Sequence, residues 1–261
     1  MSLVIDNLGF SYGRLSALRG VSVRAEPGQL IAVLGPNAAG KSTLLRCMIG
    51  ALKPTAGQVL LDGRTVHRLS PRTLAMRIAY VPQRSIVSAA FTVRQVVELG
   101  RYALPADHRR VSESIANLDL SDVEHRAYRT LSVGQQQRVT LARAFAQLAP
   151  DGVMLLDEPT SAMDLQHASR ALELLAQAAR AGTTVIMAMH DLSVAAMAAS
   201  HAWLLHRGEL AAEGATCEVL EAQRLQRVFG VGFTWIKDGA GRPRLLADPP
   251  ALAAGAYNAT P

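Results

Sequence analysis

The sequence predicts an α/β protein built on a mostly parallel core sheet, with a small antiparallel β subdomain on its flank and an all-helical subdomain inserted in its middle. Three observations carry this prediction. Three short apolar runs, Leu30–Leu34, Gly152–Leu156 and Thr183–Met189, have the length and composition of strands buried on both faces. A stretch of helical spacing from Leu165 to Ala181 separates the last two, as a crossover helix does between parallel strands. Between Phe91 and Gln147 the periodicity is helical and no strand-like run occurs.

In chain order, Leu3 to Gln29 alternates apolar and polar residues, setting Val21, Val23 and Ala25 against Ser22, Arg24 and Glu26, and Gln58 to Leu61 does the same. Period-two patterning marks strands with one buried face, which is the basis for the antiparallel flank. The run Leu30–Leu34 enters a glycine, and helical spacing resumes from Lys41 to Gly50, so strand, glycine loop and helix follow one another. The insert divides into helical segments at Thr92 to Arg101, Arg109 to Leu118 and Val133 to Leu148. From Asp248 the chain is rich in Pro, Ala and Gly and reads as a flexible tail. The expected organisation is one domain over 1–247, its core spanning about 1–90 and 149–247 around a helical subdomain at about 91–148, with a tail at 248–261.

Among 261 residues, 49% are hydrophobic and 18% charged, which excludes a disordered polar chain. The most apolar stretch, Thr183 to Leu205, is interrupted by His190, Asp191 and His201, so it cannot supply the roughly 18–20 uninterrupted apolar residues of a membrane span. The start lacks the basic and small-residue features of a signal peptide, and Cys47 and Cys217 form no metal-like pair; a reducing cytoplasm is expected. The net charge of +6 comes from scattered arginines rather than blocks, which favours a solvated basic surface over nucleic-acid binding.

Gly35-Pro36-Asn37-Ala38-Ala39-Gly40-Lys41-Ser42 fits the phosphate-loop pattern G-x-x-x-x-G-K-[ST], with Thr43 following, and stands where that pattern must stand, after a strand and before a helix. Glycines let backbone N–H groups face phosphate oxygens, the helix N-terminus adds partial positive charge, Lys41 is suited to the β and γ phosphates, and Ser42 offers a hydroxyl to Mg2+. The core is therefore expected to be of the P-loop NTPase (RecA-like) type. The strand Val153–Leu156 ends in Asp157-Glu158, which suits one carboxylate for the magnesium shell, directly or through water, and the next as general base for an attacking water.

Leu131-Ser132-Val133-Gly134-Gln135 resembles the Leu-Ser-Gly-Gly-Gln signature of ATP-binding-cassette ATPases, in its expected place between the phosphate loop and Asp157-Glu158. The resemblance covers roughly Leu3 to Gly230. It implies that Tyr12 stacks on adenine, that Gln83 in Tyr80-Val81-Pro82-Gln83 senses magnesium and water, that Ser161-Ala162-Met163-Asp164 touches a partner subunit, and that His190 is a switch histidine. On the residues alone, Tyr12 is equally compatible with packing on the small sheet, Gln83 with ending a strand, and His190 with capping a helix.

The mechanism implied is a homodimer with two ATP at its interface. Each nucleotide lies between one subunit's phosphate loop and Ser132, Val133, Gly134 and Gln135 of the other. Membrane-spanning permease subunits are the expected partners, a substrate-binding protein acts indirectly, and the subunit sits on the cytoplasmic face of the inner membrane. Three residues depart from the family pattern: Ala38 and Val133 replace glycines, and Met163 replaces leucine. Because a β-branched residue is strained at positive φ, Val133 is expected to take helical angles and leave the Gly134 amide and Ser132 to meet phosphate.

Phe91 to Leu104, Asp164-Leu165-Gln166-His167, His190 to Ala196, and the segment from Glu218 to Gly230 are similar to importers of iron chelates, haem and cobalamin. Import of such a compound is the expectation. The alternatives are a soluble cassette ATPase of a cytosolic machine, against which no coiled-coil stretch can be set beyond excluding a DNA-repair type, and a regulatory module that binds nucleotide without hydrolysis, which Glu158 and His190 argue against.

Overall fold

A computed structural model of the chain describes residues 1–84, 87, 89–148, 151–239 and 243–248, so the predicted tail lies outside the described residues except for Asp248. The antiparallel flank comprises β1 (Leu3–Tyr12), β2 (Leu15–Ala25), β4 (Ala56–Leu61) and β5 (Arg64–Thr65), in the order β2-β1-β4-β5. Its alternation resolves as expected, with Val21, Val23 and Ala25 buried and Ser22, Arg24 and Glu26 exposed.

The core sheet contains β3 (Leu30–Leu34), β6 (Ile78–Val81), β7 (Val153–Asp157), β8 (Thr184–Ala188), β9 (His201–His206) and β10 (Glu209–Ala215), in the order β10-β9-β3-β8-β7-β6. All neighbours are parallel except β10, which runs antiparallel to β9. Every residue of β3 is buried, and its side chains alternate between two cores. Leu30, Ala32 and Leu34 join the cluster that reaches the helical insert, whereas Ile31 and Val33 pack with the antiparallel sheet and α1 (Lys41–Met48). An uninterrupted apolar strand is what such two-sided burial requires. The sequence pattern marks neither β9 nor β10, and suggests β6 only as the strand that Gln83 could end. The apolar stretch Thr183 to Leu205 resolves into β8, a short helix and β9.

The remaining helices are α2 (Pro71–Arg77), α3 (Val93–Glu98), α4 (His108–Asn117), α5 (Val133–Gln147), α6 (Leu165–Arg180), α7 (Leu192–Ala198), α8 (Thr216–Val219) and α9 (Ala222–Phe229). The insert holds α3, α4 and α5, packed on one another as predicted. Its first segment is shorter than its pattern suggested: Thr92 is the N-cap of α3 in a reciprocal box with Gln95, and a 3-10 turn at Leu99–Arg101 completes it. A hairpin of β11 (Phe233–Lys237) and β12 (Pro243–Ala247) packs against α7 and α9.

Candidate active site

The phosphate loop joins β3 to α1 at the carboxyl end of the parallel strands, the usual place for ligands in such sheets. Its shape rests on left-handed backbone. Gly35 has φ 144° and Gly40 φ 104°, and a Cβ at Gly35 would lie 2.2 Å from the Leu205 carbonyl oxygen. Only glycine fits there. Ala38 adopts φ 61°, so the residue that departs from the family's glycine bears a left-handed conformation that costs about 1–2 kcal/mol with a Cβ. Ala39 is buried and its N–H donates to the Pro36 carbonyl at 3.2 Å.

Lys41 is buried, and its Nζ donates to the carbonyl oxygens of Gly35 at 2.7 Å and Pro36 at 3.0 Å. Desolvation lowers its pKa, against the opposing pull of Glu158 and Asp157. Ser42 Oγ donates to Asp157 Oδ1 at 3.0 Å. Burial raises the Asp157 pKa; the Ser42 hydrogen bond works in the opposite direction. A hydroxyl and a carboxylate oxygen thus converge, and such hard donors fit Mg2+, which completes its shell with waters and phosphate oxygens. Among the described residues no group of three or more His, Cys, Asp or Glu could hold a metal by itself.

Glu158 follows β7 with φ 52°, a left-handed conformation in a residue with a full side chain. Its two carboxylate oxygens are both engaged: Oε2 accepts from Gln83 Nε2 at 2.7 Å, and Oε1 contacts His190 Nε2. Gln83 lies just beyond β6 and His190 just beyond β8, so three strand ends present their polar residues to one point. A carboxylate held in this way can take a proton from a water set over the phosphate loop. These three residues, with Asn37 to Thr43 and Tyr12, border a cleft of about 580 Å³. Tyr12 is 44% exposed, meets Phe10 edge-on at 4.8 Å between ring centroids, and lies 3.5 Å from Thr43 Oγ1 through its hydroxyl.

Ser132, Gly134 and Gln135 do not join that cleft. Together with Asp164 and His167 they border a separate hollow of about 300 Å³. Ser132 caps α5: its Oγ accepts from the Gln135 N–H at 3.3 Å, and Gln135 Oε1 accepts from the Ser132 N–H at 3.1 Å. Since Ser132 Oγ accepts in this box, its proton is left to donate outward. Val133 opens the helix without positive φ and is 69% exposed, as expected for a residue at helical angles on an accessible helix end. Asp164 caps α6 by accepting from the His167 N–H at 2.9 Å, a bond that holds its pKa below the ordinary value. Ser161 Oγ donates to the Glu158 carbonyl at 3.1 Å.

A family profile described as ABC transporter matches residues 18–161. The hemin import ATP-binding protein HmuV of Rhodopseudomonas palustris (strain BisB5) is 39% identical over 94% of this chain and 97% of that protein. The chain belongs to the ABC transporter family. The protein of the same name from Myxococcus xanthus (strain DK1622) is 40% identical over 95% of this chain and 97% of its own length. Among solved structures, an inward-facing metal-chelate type ABC transporter matches with TM-score 0.78 at 27% identity, covering 95% of this chain and 98% of the matched chain. A dimeric bacterial ABC transporter cassette matches with TM-score 0.75 at 27% identity, over 82% and 98%.

This ABC subunit is therefore an ATP-binding ATPase whose hydrolysis is coupled to transport by a membrane transporter. Among the described residues no helix is long and apolar enough to cross a membrane. Gln137, two residues beyond the signature, is a residue that the motif pattern does not point to. In the fold it is 7% exposed and hydrogen-bonded to the turn that carries Glu158. The signal that could have found it is its spacing: three residues beyond Gly134, it shares that helix face.

Proposed function

We propose that this subunit works as a homodimer that sandwiches two ATP and powers import of haem or a related iron chelate or cobalamin through membrane-spanning permease subunits. It sits peripherally on the cytoplasmic face of the inner membrane, and a substrate-binding protein feeds the permease. Within each chain, Gly35 to Thr43 cradle the phosphates, Tyr12 stacks on the base, and Ser42, Asp157 and Gln83 serve Mg2+. Glu158 is the general base, positioned by Gln83 and His190. From the other chain, Ser132, the Gly134 amide, Val133 and Gln135 at the positive end of α5 cap the γ-phosphate, and Ser161 and Asp164 lie against the partner.

The observation that carries this reading is the separation of the two half-sites. Glu158 and its two partners border the phosphate-loop cleft, whereas the signature residues open on another hollow of the same chain. Such a separation fits an arrangement in which the signature of a second copy closes over the nucleotide held by the first chain's phosphate loop. Resemblance over nearly the full length to proteins named for hemin import supports the substrate class.

Glu158→Gln tests it. The variant should lose about 10²–10⁴-fold in ATP turnover and, with MgATP, elute as a dimer in size-exclusion chromatography. In a strain lacking the wild-type gene it should fail to restore growth on haemin as sole iron source, while the wild-type gene does so. An inactive variant that stays monomeric with MgATP defeats the sandwich. Growth on haemin that does not depend on this gene defeats the substrate assignment.

A further inference from the structure

We propose that Gln137 is a positioning residue that clamps the signature helix to the Glu158 turn and the partner-facing loop, so that one rigid face meets the second copy. The helical insert owns α5, but the Gln137 side chain crosses to the core. Its Nε2 donates to the Glu158 carbonyl at 2.8 Å and lies 3.4 Å from Ser161 Oγ, while its Oε1 accepts from the Ala162 N–H at 3.0 Å. The Ala162 N–H fixes which end of the carboxamide is oxygen. On the same helix face Gly134 packs so tightly on this loop that a Cβ would fall 2.6 Å from the Ala162 carbonyl oxygen. The next residue, Arg138, binds the Leu118 and Asp119 carbonyls at 2.8 and 2.9 Å and ties α5 to its own subdomain.

The clamp joins two functions that serve different nucleotides. In the dimer proposed above, on which this inference rests, α5 faces the partner's ATP, and Glu158 faces the ATP on its own phosphate loop. Gln137 is buried and engages both ends of its amide on backbone groups of residues 158 and 162. It also supports a glutamate held at φ 52°. Without it, the helix end and the loop are free to move separately, and dimer closure has to order them.

The test uses the full chain in the Glu158→Gln background, where ATP-driven dimerisation is read without turnover. Adding Gln137→Met, which keeps the length and removes the hydrogen bonds, should raise the ATP concentration for half-maximal dimerisation about tenfold. Binding of a fluorescent ATP analogue to the dilute monomer should stay within twofold. In the otherwise wild-type chain, the same substitution should lower kcat about tenfold and reduce the Hill coefficient for ATP. If Glu158→Gln alone does not dimerise, the dimer reading fails, and with it this coupling. If it dimerises and the double variant matches it in ATP requirement, the clamp is overturned. Should Gln137→Met yield no soluble chain, Gln137→Glu takes its place, because it keeps the acceptor for Ala162 and sets a carboxylate oxygen against the Glu158 carbonyl. The same two outcomes decide.

Discussion

In the phosphate-loop half the backbone is bent into left-handed turns at Gly35, Ala38, Gly40 and Glu158, and the charged groups Lys41 and Asp157 are buried. In the signature half, α5 starts with regular helical geometry, an exposed Val133 and a reciprocal cap between Ser132 and Gln135. The first arrangement concentrates backbone strain and desolvated charge at one place, and phosphate and Mg2+ would compensate the charge. The second is an ordinary helix end whose partial charge is offered to something outside the chain. One half is preorganised at a cost in stability. The other is cheap to fold and, in the proposed dimer, acts on the partner's nucleotide.

Asp157→Asn should reveal that cost most strongly. Burial raises the Asp157 pKa above its ordinary 3.8. A raised carboxyl pKa means that its contribution to stability is fully present below the unfolded value and is lost as pH rises through the folded value, so the ionised group destabilises the free chain near neutrality. Asparagine keeps an acceptor for Ser42 and removes the charge. The variant's Tm without nucleotide should exceed that of the wild type at pH 7, and the gap should close as pH falls towards 4. Turnover should drop about 100-fold, about 2.7 kcal/mol of transition-state stabilisation, because in the proposed mechanism Asp157 serves Mg2+. A Tm below wild type at pH 7 would break the contrast between the halves, since the buried carboxylate would then be stabilising.

Ser132→Ala should act more mildly on the other half. Losing an N-cap side chain costs about 1 kcal/mol, visible as a fall in Tm of a few degrees in thermal melts. Because Ser132 Oγ accepts from the Gln135 amide and, in the proposed dimer, donates its own proton to the partner's phosphate, turnover should fall about tenfold with ATP binding to the monomer unchanged. A parallel loss in monomer affinity would mean that Ser132 serves its own chain's nucleotide.

How far the two halves could be read in advance differs for the same physical reason. Strand–loop–helix at Leu30 to Met48 was legible because an unbroken apolar run and a glycine-flanked Lys-Ser pair leave few alternatives, and the helical insert was legible from its period. The strands at Ile78–Val81 and His201–His206 left little local signal because each is short, and the latter lies inside one long apolar stretch whose turns carry little Gly or Pro. Gln83 and His190 could be singled out only through the resemblance, and their convergence on Glu158 was not foreseen, since it depends on strand order β8-β7-β6, which no local pattern encodes. Gln137 was hidden in plain view: a glutamine among glutamines differs from its neighbours only by the helix face it occupies.

Val133→Gly probes the smallest difference and the one where sequence and fold agree most closely. Restoring the family's glycine removes an exposed side chain at the first turn of α5, a position that already has helical angles and no left-handed strain to relieve. Glycine there adds only conformational entropy to the unfolded chain, so stability should fall by about 0.5–1 kcal/mol. Turnover should stay within about twofold of wild type, because the groups proposed to meet phosphate, Ser132 Oγ and the Gly134 amide, are set by the cap and not by the side chain between them. A gain in turnover of tenfold or more would show that Val133 obstructs the face presented to the partner. The signature half would then carry a brake of its own, and the contrast with the strained phosphate loop would be one of restraint against preorganisation.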